Sequence, residues 1–285
     1  RPHLPWYVPQ HYFDRFPIDD VKLPAIAEDD SDDLPGRALN IAGRGGEYHR
    51  HIVEAGAWRE AVQGYLASNA YADAMVGELL EGLADSPHAD NTIVILWSDH
   101  GWQLGEKRHW RKFALWENVA RVVMMMRVPE GVSASLPKGT VAGERVERVV
   151  SLIDIFPTLV DLAALPARND LDGRSLVPLL RDSDTAWNFP AITTYDFDEF
   201  SIRTEDHRYI RYIDGGEELY DHRSDPEEWN NLADDPAHAE IKSRMQAMIP
   251  DAVPMGPTIE LMPHHVPPFE SAEHYREYLR SRAGD

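Results

Sequence analysis

One continuous apolar run, Thr92-Ile93-Val94-Ile95-Leu96-Trp97, constrains the fold of this chain more than any other feature. Because the run is rich in β-branched residues and contains no charged position, it predicts a strand buried on both faces, as in a parallel sheet covered by helices. A second run of the same kind covers Val122–Met126. Both runs are far shorter than the roughly eighteen apolar residues that a membrane span needs, so we expect no span.

The segments around these strands have helical periodicity. Apolar residues recur every three to five positions from Tyr48 to Leu83, which predicts a helix. Glu147–Leu162 predicts another, which Pro157 should kink or restart. Residues 1–46 are rich in Pro, Asp and Gly and predict a long surface loop. The succession of helix, turn and buried strand predicts an α/β fold.

The pattern changes after Asp182. A polar helix is predicted at His238–Ile249, followed by a proline-rich tail, and Asp214-Gly215-Gly216 suits a hairpin turn. We therefore predict a large α/β part at residues 1–185 and a small antiparallel-sheet subdomain at residues 186–285. The strands of that sheet are predicted at Ala191–Tyr195, Ser201–Thr204, Tyr209–Ile213 and Glu218–Tyr220.

The composition restricts the partners. The formal net charge is −21, with acidic residues spread along all 285 positions, which argues against binding to nucleic acid or to an anionic membrane. A small anionic substrate needs only a local cationic pocket. The chain has no cysteine, which excludes disulfides, thiol catalysis and thiolate metal sites within it.

Candidate metal ligands follow the first apolar run directly. Asp99 and His100 lie where the predicted strand ends, and open α/β sheets bind their ligands at the carboxyl ends of strands. A carboxylate oxygen and a neutral imidazole nitrogen can both bind a divalent metal. The alternative is that Asp99 caps a turn and His100 is merely packed.

A basic cluster comes next in the sequence. A charged run is usually a solvated face, but here aromatic residues alternate with the cations, which favours a partly buried anion pocket. A cation beside a divalent metal suits a sulfate or phosphate ester, because negative charge moves onto oxygen as the ester breaks. The cations are Lys107, Arg108, His109, Arg111 and Lys112, and the aromatic residues are Trp102, Trp110, Phe113 and Trp116.

The run from Ser98 to Glu117, SDHGWQLGEKRHWRKFALWE, resembles the second signature of sulfatases close to iduronate-2-sulfatase and of related bacterial glycan sulfatases. Arg1-Pro2-His3-Leu4-Pro5, the helix at Tyr65–Gly77 and the segment from Glu218 to Leu232 are similar to further family features. The resemblance implies an alkaline-phosphatase-like fold, with a mixed or parallel sheet flanked by helices and a smaller C-terminal antiparallel sheet. It also implies hydrolysis of sulfate esters, with a sulfated carbohydrate or another small sulfate ester as substrate.

The same resemblance implies roles for five residues. Asp99 and His100 would bind Ca²⁺, with Mg²⁺ as the alternative. Lys112 would contact the sulfate and stabilise the leaving group. His3 would face the ester as a candidate acid for the leaving oxygen, and Trp102 would line the substrate pocket.

Other members of the basic cluster are weaker candidates. Lys107, Arg108 and Arg111 could contact an acidic sugar, although we favour a structural or solvated role for them. By family analogy the location would be periplasmic, secreted or lysosome-like.

The chain lacks two parts of the family's active site. The family nucleophile is a formylglycine made within Cys/Ser-x-Pro-x-Arg, but Ser135-Leu136-Pro137-Lys138-Gly139 lacks the arginine. The family also draws two metal ligands from an Asp pair after its first strand. Both parts lie before Arg1 in the family order. We therefore expect this chain to be the C-terminal part of a sulfatase, inactive without an N-terminal segment that carries the formylglycine.

Two alternatives remain open from the sequence. A phosphodiesterase or phosphonate hydrolase could use the same scaffold and metal site with Thr or Ser as nucleophile. The chain could also be a catalytically inactive binding or structural protein, which the lack of a nucleophile favours.

Overall fold

The computed structural model describes residues 2–196 and 198–250. The predicted proline-rich tail lies outside these residues. Short 3-10 helices cover Ile18–Asp20, Glu106–Arg108, Leu152–Asp154 and Pro236–His238. The other elements are α1 (Gln10–Phe13), α2 (Gly36–Glu54), α3 (Trp58–Ala84), β1 (Val94–Trp97), β2 (Gln103–Leu104), β3 (Trp110–Arg111), α4 (Glu117–Ala120), β4 (Met124–Arg127), α5 (Ile155–Leu162), α6 (Val177–Arg181), β5 (Ala191–Thr194), β6 (Phe200–Arg203), β7 (His207–Arg211), β8 (Glu217–Asp221) and α7 (Ala239–Gln246).

Strands β1 and β4 correspond to the two apolar runs. They pair antiparallel, with Val94 opposite Arg127. One face of β4 packs on α6 and Trp187 through its alternate methionines, whereas Met125 on the other face is 60% exposed. Burial on both faces is therefore wrong for the described part of the chain. An apolar run predicts that a strand will be buried, but it does not indicate which segment of the chain will bury it.

The helical region differs from the prediction. Helix α2 begins at Gly36, inside the predicted loop, and the single helix predicted from Tyr48 to Leu83 is two helices, α2 and α3. Gly56 adopts φ +64° just beyond α2, the left-handed conformation with which helices commonly end. Three interior glycines lower the helix propensity of α2, so its start is decided by packing: Ala38, Leu39, Ile41 and Ala42 are completely buried.

Helix α5 starts later than the predicted Glu147. The side chains of Ser151 and Asp154 form a reciprocal capping box, and this fixes the start of the helical region. Pro157 then lies in the first turn of α5, where a missing N–H costs nothing. Residues 147–151 are not helical and α5 begins two residues before Pro157, so the predicted kink or restart at this proline is wrong.

The four C-terminal strands form an antiparallel sheet, as predicted, and their order in it is β5-β6-β7-β8. Gly215, with φ +85°, occupies the predicted turn between β7 and β8. Helix α7, within the predicted His238–Ile249, packs Met245 onto one face of this sheet. The opposite face joins a core cluster with α2 and residues 114–119. The boundary between residues 185 and 186 stays a prediction.

A fully buried arginine ties this sheet to the preceding part of the chain. Arg208 of β7 donates from Nε to Glu228 Oε1 at 2.5 Å and from Nη1 to the carbonyl of Leu115 at 3.2 Å. It also bonds Glu117 and the Ser201 hydroxyl. Burying a guanidinium is costly unless its donors are satisfied, and these acceptors satisfy them.

None of the helices among residues 2–196 and 198–250 is long and apolar enough to cross a membrane.

Gly45 of α2 allows the helix to approach the β2–β3 hairpin closely. A Cβ at this position would lie 2.3 Å from His109 Nδ1. We expect Gly45→Ala to lower the free energy of unfolding by about 1–3 kcal/mol, because the buried ring cannot move away. Gly77→Ala in α3, where a Cβ meets nothing within 4 Å, should instead raise it by about 0.5–1 kcal/mol. The free energy of unfolding of both variants is measured by urea denaturation. Equal changes in the two variants would contradict the close contact between Gly45 and His109.

Acid unfolding should depend on Glu228. Burial opposes ionisation, yet the Arg208 guanidinium and the His222 ring lower the pKa of Glu228 to about 2. Because the folded-state pKa is depressed, its stabilisation is present above about pH 4.5 and is lost as the pH falls toward 2. We expect Glu228→Gln to cost about 3–5 kcal/mol at pH 7, a difference that narrows below pH 4.

The measurement is the free energy of unfolding between pH 2 and 7. Glu81→Gln, on the exposed side of α3, is the matched control and should follow the unsubstituted protein at every pH. A constant difference between Glu228→Gln and the unsubstituted protein across this range would contradict the assignment.

Candidate active site

The turn after β1 is held in place by backbone contacts to residues 118–123. Ser98 N–H donates to the carbonyl of Val123, and Gly101 N–H donates to the carbonyl of Val119 at 2.8 Å. A Cβ on Gly101 would lie 2.1 Å from the carbonyl oxygen of Asn118, so only glycine fits this crossing. The turn therefore projects Asp99 outward, with its side chain 77% exposed.

Asp99 and His100 leave one free ligand atom each. His100 Nδ1 lies 2.7 Å from the Gly101 carbonyl, so its proton resides there and Nε2 keeps its lone pair. Asp99 Oδ1 accepts from the His100 backbone N–H, which leaves Oδ2 at 3.7 Å from His100 Nε2. Two ligands about 2.4 Å from one ion and at right angles would be about 3.4 Å apart. The pair therefore fits a divalent cation, and the carbonyl partner of Nδ1 is the usual support for a metal-binding histidine.

Trp102 is the centre of an aromatic group beside this pair. The His100 ring centroid lies 6.3 Å from that of Trp102, and the His3 ring meets Trp102 edge-on at 5.7 Å. The indole is only 8% exposed, and its Nε1 has no hydrogen-bond partner among the described residues. Tyr65 stacks on it at 6.4 Å, and Trp6 approaches at the same distance. The structure thus brings His3, His100 and Trp102 together.

His3 is exposed at the edge of this group. Its Nδ1 donates to the carbonyl of Leu4 at 2.7 Å, which leaves Nε2 available to a ligand. Lys112 belongs to the hairpin. It directly follows β3, whose Arg111 pairs with Gln103, the residue after Trp102. Lys112 makes no ion pair within the described parts of the chain, and its Nζ lies 5.7 Å from the Phe113 ring centroid.

His109 fixes the backbone at Lys112, a role that the sequence did not reveal. The ring is buried between α2 and the hairpin, with Nε2 3.0 Å from the Lys112 carbonyl and Nδ1 3.2 Å from that of Ala42. Burial lowers the pKa of His109. The sequence pattern places His109 among the cations of the cluster, whereas the structure shows a buried ring that positions the chain.

A second, half-buried histidine supports the hairpin from α2. His49 Nδ1 accepts a hydrogen bond from Trp110 Nε1 at 3.0 Å. Burial and the Arg108 charge lower the pKa of His49 to about 4, so it is a neutral acceptor at pH 7. His49, Tyr65 and Trp6 were not predicted as parts of the site. Helical spacing within α2 and α3 was visible, but which face meets the hairpin was not.

The remaining cations of the cluster divide into different roles. Lys107 is 5% exposed, and its Nζ lies 2.7 Å from Asp30 Oδ1 and donates to the Glu228 carbonyl. The ammonium also faces the rings of Trp116 and Tyr220, 5.6 and 5.3 Å from their centroids. Lys107 is therefore a structural residue. Arg108 donates to the Glu28 carbonyl and Arg111 to Tyr48, both at the surface.

A cluster elsewhere has a metal-like composition. Ligand atoms of Glu117, His222 and Glu228 lie within 4.8 Å of one another. The two carboxylates already bind Arg208, and Arg203 donates to Glu117 at 3.1 Å. A divalent cation would have to displace or neighbour these guanidinium charges, so we interpret the cluster as an ion-pair network rather than a metal site.

Comparison with known proteins identifies two profiles. The sulfatase family profile matches residues 1–165, and the profile for the C-terminal part of N-sulphoglucosamine sulphohydrolase matches residues 105–253. A sulfatase from Formosa agariphila is 36% identical over 252 residues, which is 87% of this chain and 47% of the relative. Iduronate 2-sulfatase from Mus musculus is 32% identical over 197 residues, or 58% of this chain and 35% of the relative. The chain thus spans a third to a half of these relatives.

Two solved structures share the fold. BT4656, in complex with its substrate D-glucosamine-2-N,6-O-disulfate, is 28% identical with a TM-score of 0.60, covering 67% of this chain and 40% of that one. A phosphonate monoester hydrolase from Agrobacterium radiobacter is 25% identical with a TM-score of 0.67, covering 87% of this chain and 54% of that one. These neighbours confirm the predicted alkaline-phosphatase-like α/β fold class.

The structural role of Lys107 can be tested by substitution. Burial outweighs the attraction of Lys107 and raises the pKa of Asp30, so removing the ammonium would leave an unpaired buried carboxyl group. We expect Lys107→Met to lower the free energy of unfolding by about 3–5 kcal/mol, and Lys107→Met with Asp30→Asn to recover part of that loss. Lys22→Met, at an exposed position, should have little effect. If the double variant were no more stable than Lys107→Met, the pairing would not explain the burial.

Proposed function

Because this chain belongs to the sulfatase family, we propose that the protein carrying it hydrolyses sulfate esters at the site formed by Asp99, His100, Trp102, His3 and Lys112. The observation that carries the proposal is the free atom pair, Asp99 Oδ2 and His100 Nε2, 3.7 Å apart at the end of β1. His3, which has a free ring nitrogen, and Lys112, which has no ion pair among the described residues, complete the proposed site.

Each side chain has a distinct task in the proposed reaction. Asp99 and His100 hold a divalent cation, which we propose to be Ca²⁺ with Mg²⁺ as the alternative; when bound, it balances the charge of the sulfate. Lys112 contacts a sulfate oxygen and stabilises the negative charge that grows as the ester bond breaks. His3 acts as the acid in its imidazolium form: Nδ1–H stays on the Leu4 carbonyl, the Nε2 proton passes to the leaving oxygen, and the ring is left neutral. Trp102 lines the pocket with its indole ring.

A segment N-terminal to Arg1 is proposed to supply the formylglycine nucleophile and the further metal ligands. Two observations support this. The chain spans 47% of the Formosa agariphila relative, and apolar side chains beside β1 and β4 are left exposed within the described residues. Trp97 of β1 is 49% exposed and Met125 of β4 is 60% exposed, which is unusual for large apolar side chains of a strand pair. Without that segment we expect the chain to be inactive.

The substrate is proposed to be a sulfated carbohydrate, in the manner of iduronate-2-sulfatase-like enzymes. BT4656 was solved with a disulfated glucosamine as its substrate, and this supports a sugar sulfate here. By analogy we also propose that the protein acts in the periplasm, outside the cell or in a lysosome-like compartment.

The proposal is tested on the protein purified from its natural source. We expect turnover of an aryl sulfate and of sulfated monosaccharides, lost on chelation and restored by Ca²⁺, and a modified Cys or Ser in the peptide mass spectrum N-terminal to Arg1. Asp99→Asn and Lys112→Ala should lower kcat/KM by at least about 100-fold, since one charge-stabilising contact of the transition state is worth that much. Lys138→Ala, an exposed lysine in a distant loop, is the control.

One result would overturn the catalytic proposal outright. If the natural protein begins at Arg1, has no partner chain and binds no cation, as judged from an unchanged melting temperature with Ca²⁺, the inactive binding or structural alternative replaces it.

The phosphonate monoester hydrolase neighbour favours a second candidate function, hydrolysis of phosphonate or phosphodiester bonds. The same metal site and the same lysine could serve either ester, because both leave charge on oxygen. Relative kcat/KM for matched aryl sulfate and aryl phosphonate esters separates the two. A preference for the phosphonate, with Ser or Thr as the unmodified nucleophile, would establish the second candidate.

A further inference from the structure

The turn that carries the proposed metal ligands rests on helix α4. The carbonyl of Val119 accepts a hydrogen bond from Gly101 N–H at 2.8 Å. The carbonyl of Asn118 accepts one from Trp102 N–H at 2.9 Å. Because these two donors directly follow the ligands in the chain, a shift of α4 would shift the ligands with it.

The start of α4 is held by a residue that is remote in sequence. Its N-cap residue, Trp116, makes no side-chain bond to the N–H groups of the first turn. Glu228 provides the acceptor instead, since its Oε2 accepts from Glu117 N–H at 2.9 Å. A carboxylate at a helix start stabilises it both as an acceptor and through its charge. Because α4 has only four residues, its position depends on such contacts rather than on the helix itself.

Glu228 is fixed in turn by three partners. Its Oε1 accepts from Arg208 Nε at 2.5 Å and lies 3.0 Å from His222 Nε2, and its backbone carbonyl accepts from Lys107 Nζ. The residue is 2% exposed and has φ +60°, in the left-handed region that favours glycine. A buried non-glycine residue persists in this conformation only where its surroundings maintain it, and such residues concentrate at functional sites.

We propose that Glu228 is a positioning residue for the metal ligands of the sulfate-ester site, acting through α4. This deepens the proposed function and rests on it. With α4 held by the carboxylate, Asp99 and His100 stay in the arrangement that fits a divalent cation, so little conformational entropy is lost when the cation binds. Removing contacts outside the ligands themselves commonly lowers the metal affinity of a protein by about 10–100-fold.

The first test is the Ca²⁺ affinity of the natural protein, measured by calorimetry, which needs no turnover. We expect Glu228→Gln to weaken Ca²⁺ binding at least about tenfold, because an amide does not hold Arg208 and the start of α4 as a carboxylate does. The matched control is Met245→Ala, a cavity-forming substitution of a side chain that is buried on the far face of the C-terminal sheet. It should lower stability and leave Ca²⁺ affinity unchanged. Unaltered affinity in Glu228→Gln, or an equal loss in Met245→Ala, would overturn the positioning role.

The second test uses the unsubstituted protein, so it does not depend on any variant folding. Coupling between two sites is reciprocal: if the bond between Glu228 and α4 favours the cation, the cation favours that bond. Ca²⁺ should therefore slow hydrogen exchange of the Glu117 amide by about tenfold, the same factor, and more than it slows the amides of α5. Equal slowing in α5 would indicate a general stabilisation and would refute the coupling.

The outcomes separate this inference from the proposed function. If the unsubstituted protein hydrolyses a sulfate ester and Glu228→Gln binds Ca²⁺ equally well, the sulfatase proposal stands and the positioning role is removed. If the unsubstituted protein turns over no sulfate ester but its Ca²⁺ affinity depends on Glu228, the sulfatase proposal is removed and Glu228 still positions the cation ligands.

Discussion

The arrangement of the site depends on one buried cation, Lys107. Its ammonium is enclosed by Asp30, the carbonyl of Glu228 and the rings of Trp116 and Tyr220, so one group joins the N-terminal loop, the hairpin and the C-terminal sheet. A charge so enclosed is stabilised only while all its partners stay in place. The segments that carry it are therefore coupled, and a hairpin of two-residue strands has a defined position in a protein where it would otherwise be marginal.

The hairpin that Lys107 holds in place has a strained backbone. Four of its non-glycine residues have positive φ: Lys107, Arg108, Arg111 and Phe113. Each would cost free energy in an isolated peptide, and packing of His109 against Gly45 and of Trp110 against His49 offsets that cost. As a result, the side chains of Lys107, His109 and Trp110 are buried in the core, whereas that of Phe113 is exposed. Because the chain has a net charge of −21, the exposed cations of the hairpin form a local region of positive potential on an otherwise acidic protein.

Much of the fold could be predicted because local sequence patterns indicate the strands and turns. The apolar runs predicted β1 and most of β4, and Asp214-Gly215-Gly216 predicted the turn in which Gly215 has a positive φ. The start of α2 could not be predicted, since Gly43, Gly45 and Gly46 oppose the helix that burial imposes. The segments that pack on β1 and β4 could not be predicted either, because an apolar strand does not specify its packing partner.

For the site, the sequence by itself determined its chemistry: which residues can bind a cation or an anion, and that Asp99 and His100 follow a strand. Only the tertiary structure decided how the basic cluster divides. Lys107 became a buried anchor, His109 a support for Lys112, and Arg111 an unpaired surface cation beside Tyr48. The reason is physical. Charge and spacing are properties of the chain, whereas burial and pairing depend on α2, the residue 30 loop and the C-terminal sheet, which are remote in sequence.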